Sequence, residues 1–355
     1  MIDSAYKIVF TLLIIIMASS HGSLQAHEES INKAISQIEF KEDTLRSVIE
    51  WMSKAFTYDL SLVEKGNYQY DSREELIKTF LRSKKGVCEH FSLLFNAIAT
   101  HLGYESYLVP GYLIDGERSS RAYSHQWNAL VIDDEWYLYD PTWASGYVEN
   151  GRYNKDFDRE WIKVSPKTML KSHIPFDPMW QLISQPIRHS DIKDPSDINL
   201  DSSVDLLTPA MVRGELNLPD KERLQRKIDR IEAAGITNAL IKLHVNDAKR
   251  RVANLQEAAS VDQINASIDA FNQIVQGFNM YLENRTTIPG DSKKIKMYKS
   301  KLQELKADIN KVDNDISGFY ASSGSNKGQL KKVSNEISKI KKALDSEINW
   351  LSSLK

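Results

Sequence analysis

The hydrophobic period of this chain changes twice, and those changes restrict its fold more than any other feature. Leu45, Val48, Ile49, Met52, Ala55 and Phe56 recur at helical spacing, as do Phe91, Leu94, Phe95, Ile98 and Leu102 within 88–102. Asp71 with Glu74 reads as a capping box opening a short helix through Leu81, which Lys84-Lys85-Gly86 breaks, and Gly103 stands at the C′ position of the helix from Cys88. From Tyr104 the pattern is no longer helical. The stretch 104–113 is rich in Tyr, Val and Leu and suits a strand. A polar turn follows over 115–121. Residues 125–132 and 136–139 read as a hairpin turning at Asp133-Asp134. Beyond Pro219 the helical period returns. The predicted class is α+β, N-terminal helices packed on an antiparallel sheet, followed by an all-α helical bundle or coiled-coil region.

Domain boundaries follow from the same changes. Lys7, an apolar run over 8–18 and a small, polar stretch to Leu24-Gln25-Ala26 fit a secretory signal peptide at 1–26. That run is too short to span a bilayer, so no stable span is expected after cleavage, and the location is periplasmic or secreted. Residues 27–187 are expected to form the α+β domain. Residues 188–217, rich in Asp, Ser and Pro, are expected to be a linker, and 218–355 the helical region. Within it, Leu224, Ile228 and Ile231 start a helix closed by Gly235. Two amphipathic segments carry Ile241 to Leu255 and Ile264 to Phe278, and Pro289-Gly290 marks a break. Leu302, Leu305, Ile309, Val312 and Ile316, then Leu330, Val333, Ile337, Ile340 and Leu344, have heptad-like spacing on either side of a turn at 321–328. They predict an antiparallel helical hairpin. Such a region serves either as a solvated bundle or stalk, or as a coiled coil that binds a protein partner.

A formal net charge of −2 gives no global attraction to nucleic acid or an anionic membrane. No paired Cys-x-x-Cys, Walker loop or dinucleotide fingerprint is present, and no His/Asp/Glu spacing makes a metal site. No metal and no cofactor are expected.

The chain has one cysteine, Cys88, which excludes an internal disulfide. In an exported protein an odd cysteine points to a reactive thiol or to pairing between molecules. Cys88 falls at the start of a helix, where free amides and the helix dipole favour a thiolate. Gly86 removes bulk where a substrate backbone would approach, and the Cys88 N–H is placed to help hold an oxyanion. With the hairpin turning at Asp133-Asp134, His125 faces Thr142 and Asp140 is its diagonal neighbour, roughly 7–8 Å away at Cβ. Asp140 would accept from one imidazole nitrogen and leave the other to the thiol. Taken singly, Cys88 reads as a small buried apolar residue, His125 as structural and Asp140 as a turn former. His90 points elsewhere on the helix, and His101 lies at its end on the surface.

Together, Gly86-Val87-Cys88-Glu89, Ser124-His125-Gln126-Trp127-Asn128 and Tyr139-Asp140-Pro141-Thr142-Trp143 resemble the three core motifs of the transglutaminase-like superfamily, GVC, HAWN and DPTW. Trp143-Ala144-Ser145-Gly146-Tyr147, then His173, Pro175, Asp177-Pro178 and Trp180-Gln181-Leu182, together with Tyr58-Asp59, resemble its kyphoscoliosis-peptidase-like branch. The likeness covers roughly 40–187. His90, Phe91 and Gln126 depart from the usual residues, and none of them is a triad member. The resemblance implies a papain/transglutaminase-like core in which Cys88, His125 and Asp140 form a Cys-His-Asp catalytic triad. Cys88 would attack an amide carbonyl, His125 would protonate the leaving amine, and Asp140 would orient His125. Water or an amine would resolve the thioester. Tyr58 and Trp51 are candidates for the second oxyanion donor, and Trp127 and Trp143 for packing around the triad or lining an acyl groove.

The expected function is an exported cysteine hydrolase, a peptidase or amidase acting on protein or peptide amides. The alternatives are a catalytically silent interaction module, with helices 218–355 engaging a protein partner, and a cross-linking transglutaminase.

Overall fold

A computed structural model describes residues 20–65, 70, 72–114, 123–192, 198, 204–322 and 327–354. Most of the expected signal peptide, Asp71, the turn at 115–121 and parts of the expected linker lie outside the described residues.

Helix α1 (Ser20–Ile35) leads to α2 (Thr44–Ala55), which buries Leu45, Val48, Ile49 and Met52 on one face. Asp43 starts α2 by accepting from the Arg46 N–H at 2.9 Å. A short strand β1 (Thr57–Tyr58) and helix α3 (Leu60–Lys65) follow, then α4 (Arg73–Ser83). Ser72 caps α4 by accepting from Glu75 N–H, one residue later than the expected capping box. Lys84 stops α4 in the left-handed region at φ 58°. The chain then forms β2 (Lys85–Gly86), parallel to β1, with Tyr58 opposite Gly86. Helix α5 (Cys88–His101) begins directly afterwards and buries Phe91, Leu94, Phe95 and Ile98. It ends before Gly103 at φ 90°, where a side chain would be strained.

Strands β3 (Glu105–Leu113), β4 (Tyr123–Ile132) and β5 (Glu135–Tyr139) form an antiparallel sheet against which α5 packs. The β4–β5 register pairs Ile132 with Glu135. Asp133 and Asp134 both have positive φ, the two-residue turn that matches strand twist. A further hairpin, β6 (Gly146–Glu149) with β7 (Arg152–Lys155), turns at Asn150-Gly151. The short helix α6 (Pro166–Met169) precedes β8 (His173–Pro175), which pairs with β3 and completes a sheet of order β5-β4-β3-β8. Gly111 on β3 lies so close to the Ile174 carbonyl and Trp127 that a Cβ would overlap both.

The stretch expected as a linker contains ordered structure. His189 is buried, with its ring between the Tyr112 hydroxyl at 3.1 Å and the Phe176 carbonyl at 3.0 Å, and α7 (Pro209–Leu216) is helical. Helix α8 (Asp220–Ala234) closes at Gly235, and its Arg230 makes a bidentate pair with buried Asp177. The chain divides into compact units Met1–Lys249 and Arg250–Lys355, so α8 belongs to the first unit.

The two amphipathic segments expected over 241–278 are one helix, α9 (Ala239–Asn284). No glycine or proline lies between Leu255 and Ile264 to interrupt it. In the second unit α10 (Ser292–Ser322) and α11 (Lys327–Ser353) run antiparallel, with Lys306 paired to Asp345 and Lys341 to Asp313. Leu302, Ile309, Ile316, Ile337 and Leu344 are buried between them. Among the described residues no helix is both long and apolar enough to cross a membrane.

Candidate functional site

Cys88 is the first residue of α5, half-buried, and Val87 precedes it in extended conformation as the N-cap. A first-turn residue has no intrahelical acceptor for its own N–H. Valine cannot cap with its side chain. The Val87 N–H is instead taken up by His90 Nδ1 at 3.3 Å, and His90 Nε2 meets the Tyr70 hydroxyl at 3.2 Å. This bond occupies the ring of His90 at the helix start, away from the thiol. At Gly86 a Cβ would strike His90 Cγ at 2.6 Å and Phe80 at 2.8 Å, so these two side chains themselves require the glycine. His101 is exposed.

His125 and Asp140 come together as the hairpin register requires, although Asp140 has left the ladder. The last β4–β5 pair is Asn128–Tyr139, and the Asp140 N–H turns to the Trp161 carbonyl at 3.0 Å. Asp140 Oδ1 then accepts from the N–H groups of Thr142 at 2.9 Å and Trp143 at 3.1 Å. This Asx-type turn gives the Asp-Pro-Thr-Trp spacing its physical sense. Oδ2 accepts from His125 Nε2 at 2.7 Å. An ionised carboxylate can only accept, so His125 carries a proton on Nε2, which leaves Nδ1 to face the thiol. Cys88 lies close enough to this ring to raise its proton affinity, and Nδ1 is the nitrogen left for it.

In the sequence His173 belongs to a motif, and no local signal ties it to the site. The structure brings it from β8 to the same oxygen, with Nε2 3.1 Å from Asp140 Oδ2. Its other nitrogen accepts from Ser172 Oγ at 2.7 Å. Trp143, Trp127 and Trp161 surround the ring at centroid distances of 4.6, 5.0 and 5.3 Å. Trp127 is buried at 6.1 Å from His125, and Trp143 is partly exposed at 5.9 Å.

Asp140 is completely buried. Burial alone would raise its pKa, but the two imidazoles reverse this and hold it well below the usual carboxylate range. Burial opposes charge on His125 as well. Asp140, and then Cys88, outweigh that cost and raise its proton affinity. Burial lowers that of His173 more than Asp140 restores it, which favours the neutral ring. His125, Asp140 and His173 offer ligand atoms within 4.8 Å of one another. Two N–H···O bonds to one oxygen account for that closeness, and a cation would have to displace both.

Of the other candidates, Tyr58 lies beside the site. Burial raises its phenol pKa, and Cys88 and Asp140 raise it further. Trp51 packs edge-on against Phe56 at 5.3 Å in the main core. Gln126, where alanine is usual, donates to Ser92 Oγ at 2.7 Å, and Asn128 Nδ2 donates to the Ser92 carbonyl at 3.1 Å. Gln181 bonds both backbone groups of Ile187 at 2.8 Å, which gives the Trp-Gln-Leu stretch a structural use.

Residues 29–141 match the family model of the transglutaminase-like superfamily, a segment that holds Cys88, His125 and Asp140. This part of the chain is a transglutaminase-like domain. Within the superfamily its sequence is similar to kyphoscoliosis peptidase: 23% identical over 178 residues to the human protein, covering 48% of this chain and 26% of that one. The mouse protein is 23% identical over 165 residues, covering 44% of this chain and 24% of that one. The chain thus spans about a quarter of the length of these curated relatives. Among solved structures, a TGase aligns at 18% identity and TM-score 0.29, covering 41% of this chain and 39% of that chain. An arylamine N-acetyltransferase from Bacillus cereus aligns at 17% identity and TM-score 0.28, covering 34% and 49%.

Proposed function

We propose that this protein is an exported cysteine hydrolase, a peptidase or amidase that cleaves protein or peptide amides through Cys88, His125 and Asp140. One observation carries the reading: His125 is held by Asp140 at 2.7 Å in the tautomer that leaves Nδ1 to a thiol at a helix start. In this reading the Cys88 thiol passes its proton to His125 Nδ1, and the thiolate attacks the amide carbonyl carbon. The carbonyl oxygen gains the negative charge and is met by the Cys88 N–H, with the Tyr58 hydroxyl as candidate second donor. Collapse breaks the C–N bond, and His125 returns its proton to the leaving amine. Water, deprotonated by His125, then attacks the thioester carbon; the C–S bond breaks, the acid leaves, and the Cys88 thiolate takes the proton back from His125. The apolar run at 8–18 supports export to the periplasm or beyond.

The test is the rate of iodoacetamide labelling at neutral pH, followed by hydrolysis of unfolded protein substrates. Cys88 is expected to label at least tenfold faster than a solvent thiol, and His125→Ala to abolish the excess. Cys88→Ala should remove hydrolysis. Labelling no faster than a solvent thiol, with no turnover, would support a silent interaction module instead. Incorporation of a labelled primary amine into a glutaminyl protein in place of hydrolysis would identify a cross-linking enzyme.

A further inference from the structure

The carboxylate of Asp140 carries one donor more than a three-residue relay needs. Oδ1 is satisfied by two backbone N–H groups, and His125 already occupies Oδ2. His173 adds a second ring N–H to Oδ2 from a strand that lies 33 residues further along the chain. Its placement is over-determined. Ser172 Oγ holds Nδ1 and so resists a ring flip. The β3–β8 register sets Leu113 opposite His173, and three tryptophans enclose the ring.

We propose that His173 is a positioning residue: its Nε2–H keeps Asp140 ionised and aimed at His125, and thereby sets the acid limit of Cys88 reactivity. The proposal rests on the triad reading above. A neutral donor stabilises the carboxylate anion without competing for its proton. It also leaves the second lone-pair direction of Oδ2 to His125. The titratable groups facing this carboxylate are His125 from β4, His173 from β8 and the Tyr58 phenol from β1, with Cys88 of α5 beyond His125. Burial lowers the proton affinity of His173, which favours its neutral form.

The experiment is the pH dependence of iodoacetamide alkylation of Cys88 in the full chain, for the wild type, His173→Leu and His173→Gln. Leucine removes the N–H, whereas glutamine can extend an amide N–H to the place of Nε2. The acid limb of the His173→Leu profile is expected to move up by about one pH unit, a tenfold lower rate at fixed pH on that limb. His173→Gln is expected to stay within about 0.3 unit of the wild type. Profiles for both variants that superimpose on the wild type would overturn the proposal. So would equal shifts in both, which would assign the effect to lost ring packing. A wild-type Cys88 that labels like a solvent thiol removes the triad reading and this inference with it. A fast wild type with unmoved variants removes His173 alone. Should His173→Leu not fold, long-range proton–nitrogen correlation spectra of the wild type decide the matter. A neutral Nε2–H tautomer at His173 is expected, and an Nδ1–H tautomer overturns the assignment.

Discussion

Gln126 Nε2 donates to Ser92 Oγ at 2.7 Å, and this bond links the strand carrying His125 to the helix carrying Cys88. Gln126 is the residue after His125, and Ser92 lies one helical turn beyond Cys88. The Asn128 bond to the Ser92 carbonyl reinforces the clamp. Gln126→Ala is expected to cost about 1 kcal/mol of stability, the usual net worth of one such bond. The rate of Cys88 alkylation should fall several-fold, because the thiol and ring lose part of their mutual alignment. Thermal melting and alkylation kinetics on one preparation check both effects.

Asp140→Asn should be far more damaging. One side of the carboxylate accepts two backbone N–H groups and the other two imidazole N–H groups. An amide presents a donor to one of those sides and cannot stabilise an imidazolium. A loss of about 3 kcal/mol or more is expected, with at least a hundredfold slower alkylation of Cys88. Denaturant unfolding and labelling kinetics measure these. A variant as reactive as the wild type would remove Asp140 from the proposed mechanism.

His90 predicts an acid sensitivity separate from the proposed chemistry. Burial holds its pKa down at about 4, against an ordinary value of 6.5. The unfolded chain therefore binds the extra proton between these values, and stability falls as pH drops from about 6.5 to about 4. At its full extent the penalty is of order 3 kcal/mol. His90→Asn retains an acceptor for the Val87 N–H and cannot be protonated. Its stability should depend less on pH across that window, as urea unfolding at several pH values would show.

In the second unit, Leu302 and Ile337 are fully buried in one apolar cluster. Leu302→Ala or Ile337→Ala should destabilise that unit by about 2–5 kcal/mol through lost contacts and a residual cavity. Circular dichroism should register an earlier helical melt, and alkylation of Cys88 at 25 °C should keep its wild-type rate.

Much of the fold follows from local patterns. The turn at Asp133-Asp134, the β4–β5 register and the start of α5 at Cys88 rest on neighbours a few residues apart, and all are present. The β6–β7 hairpin has an equally local signal in Asn150-Gly151. The division after Lys249, in place of the expected boundary at 218, has no such signal. Helix α8 looks like its successors in sequence, yet Arg230 joins it to Asp177 in the first unit. An ion pair between residues so far apart in sequence leaves no trace in a hydrophobic period.

The two changes of hydrophobic period, the lone cysteine at a helix start and the spacing from His125 to Asp140 were determined by the sequence alone. Each is a property of consecutive residues, and backbone geometry converts it directly into a face, a cap or a register. Tertiary structure decided what surrounds them. It placed His173 on the same oxygen of Asp140 as His125, assigned the space at Gly86 to His90 and Phe80, and joined α5 to β4 through Gln126 and Ser92. The two links to Asp140 and Ser92 form only when strands and helices distant in sequence are brought against one another. The Gly86 contact depends on which way the side chains turn in the packed core. Neither kind of relation is encoded in the local order of residue types.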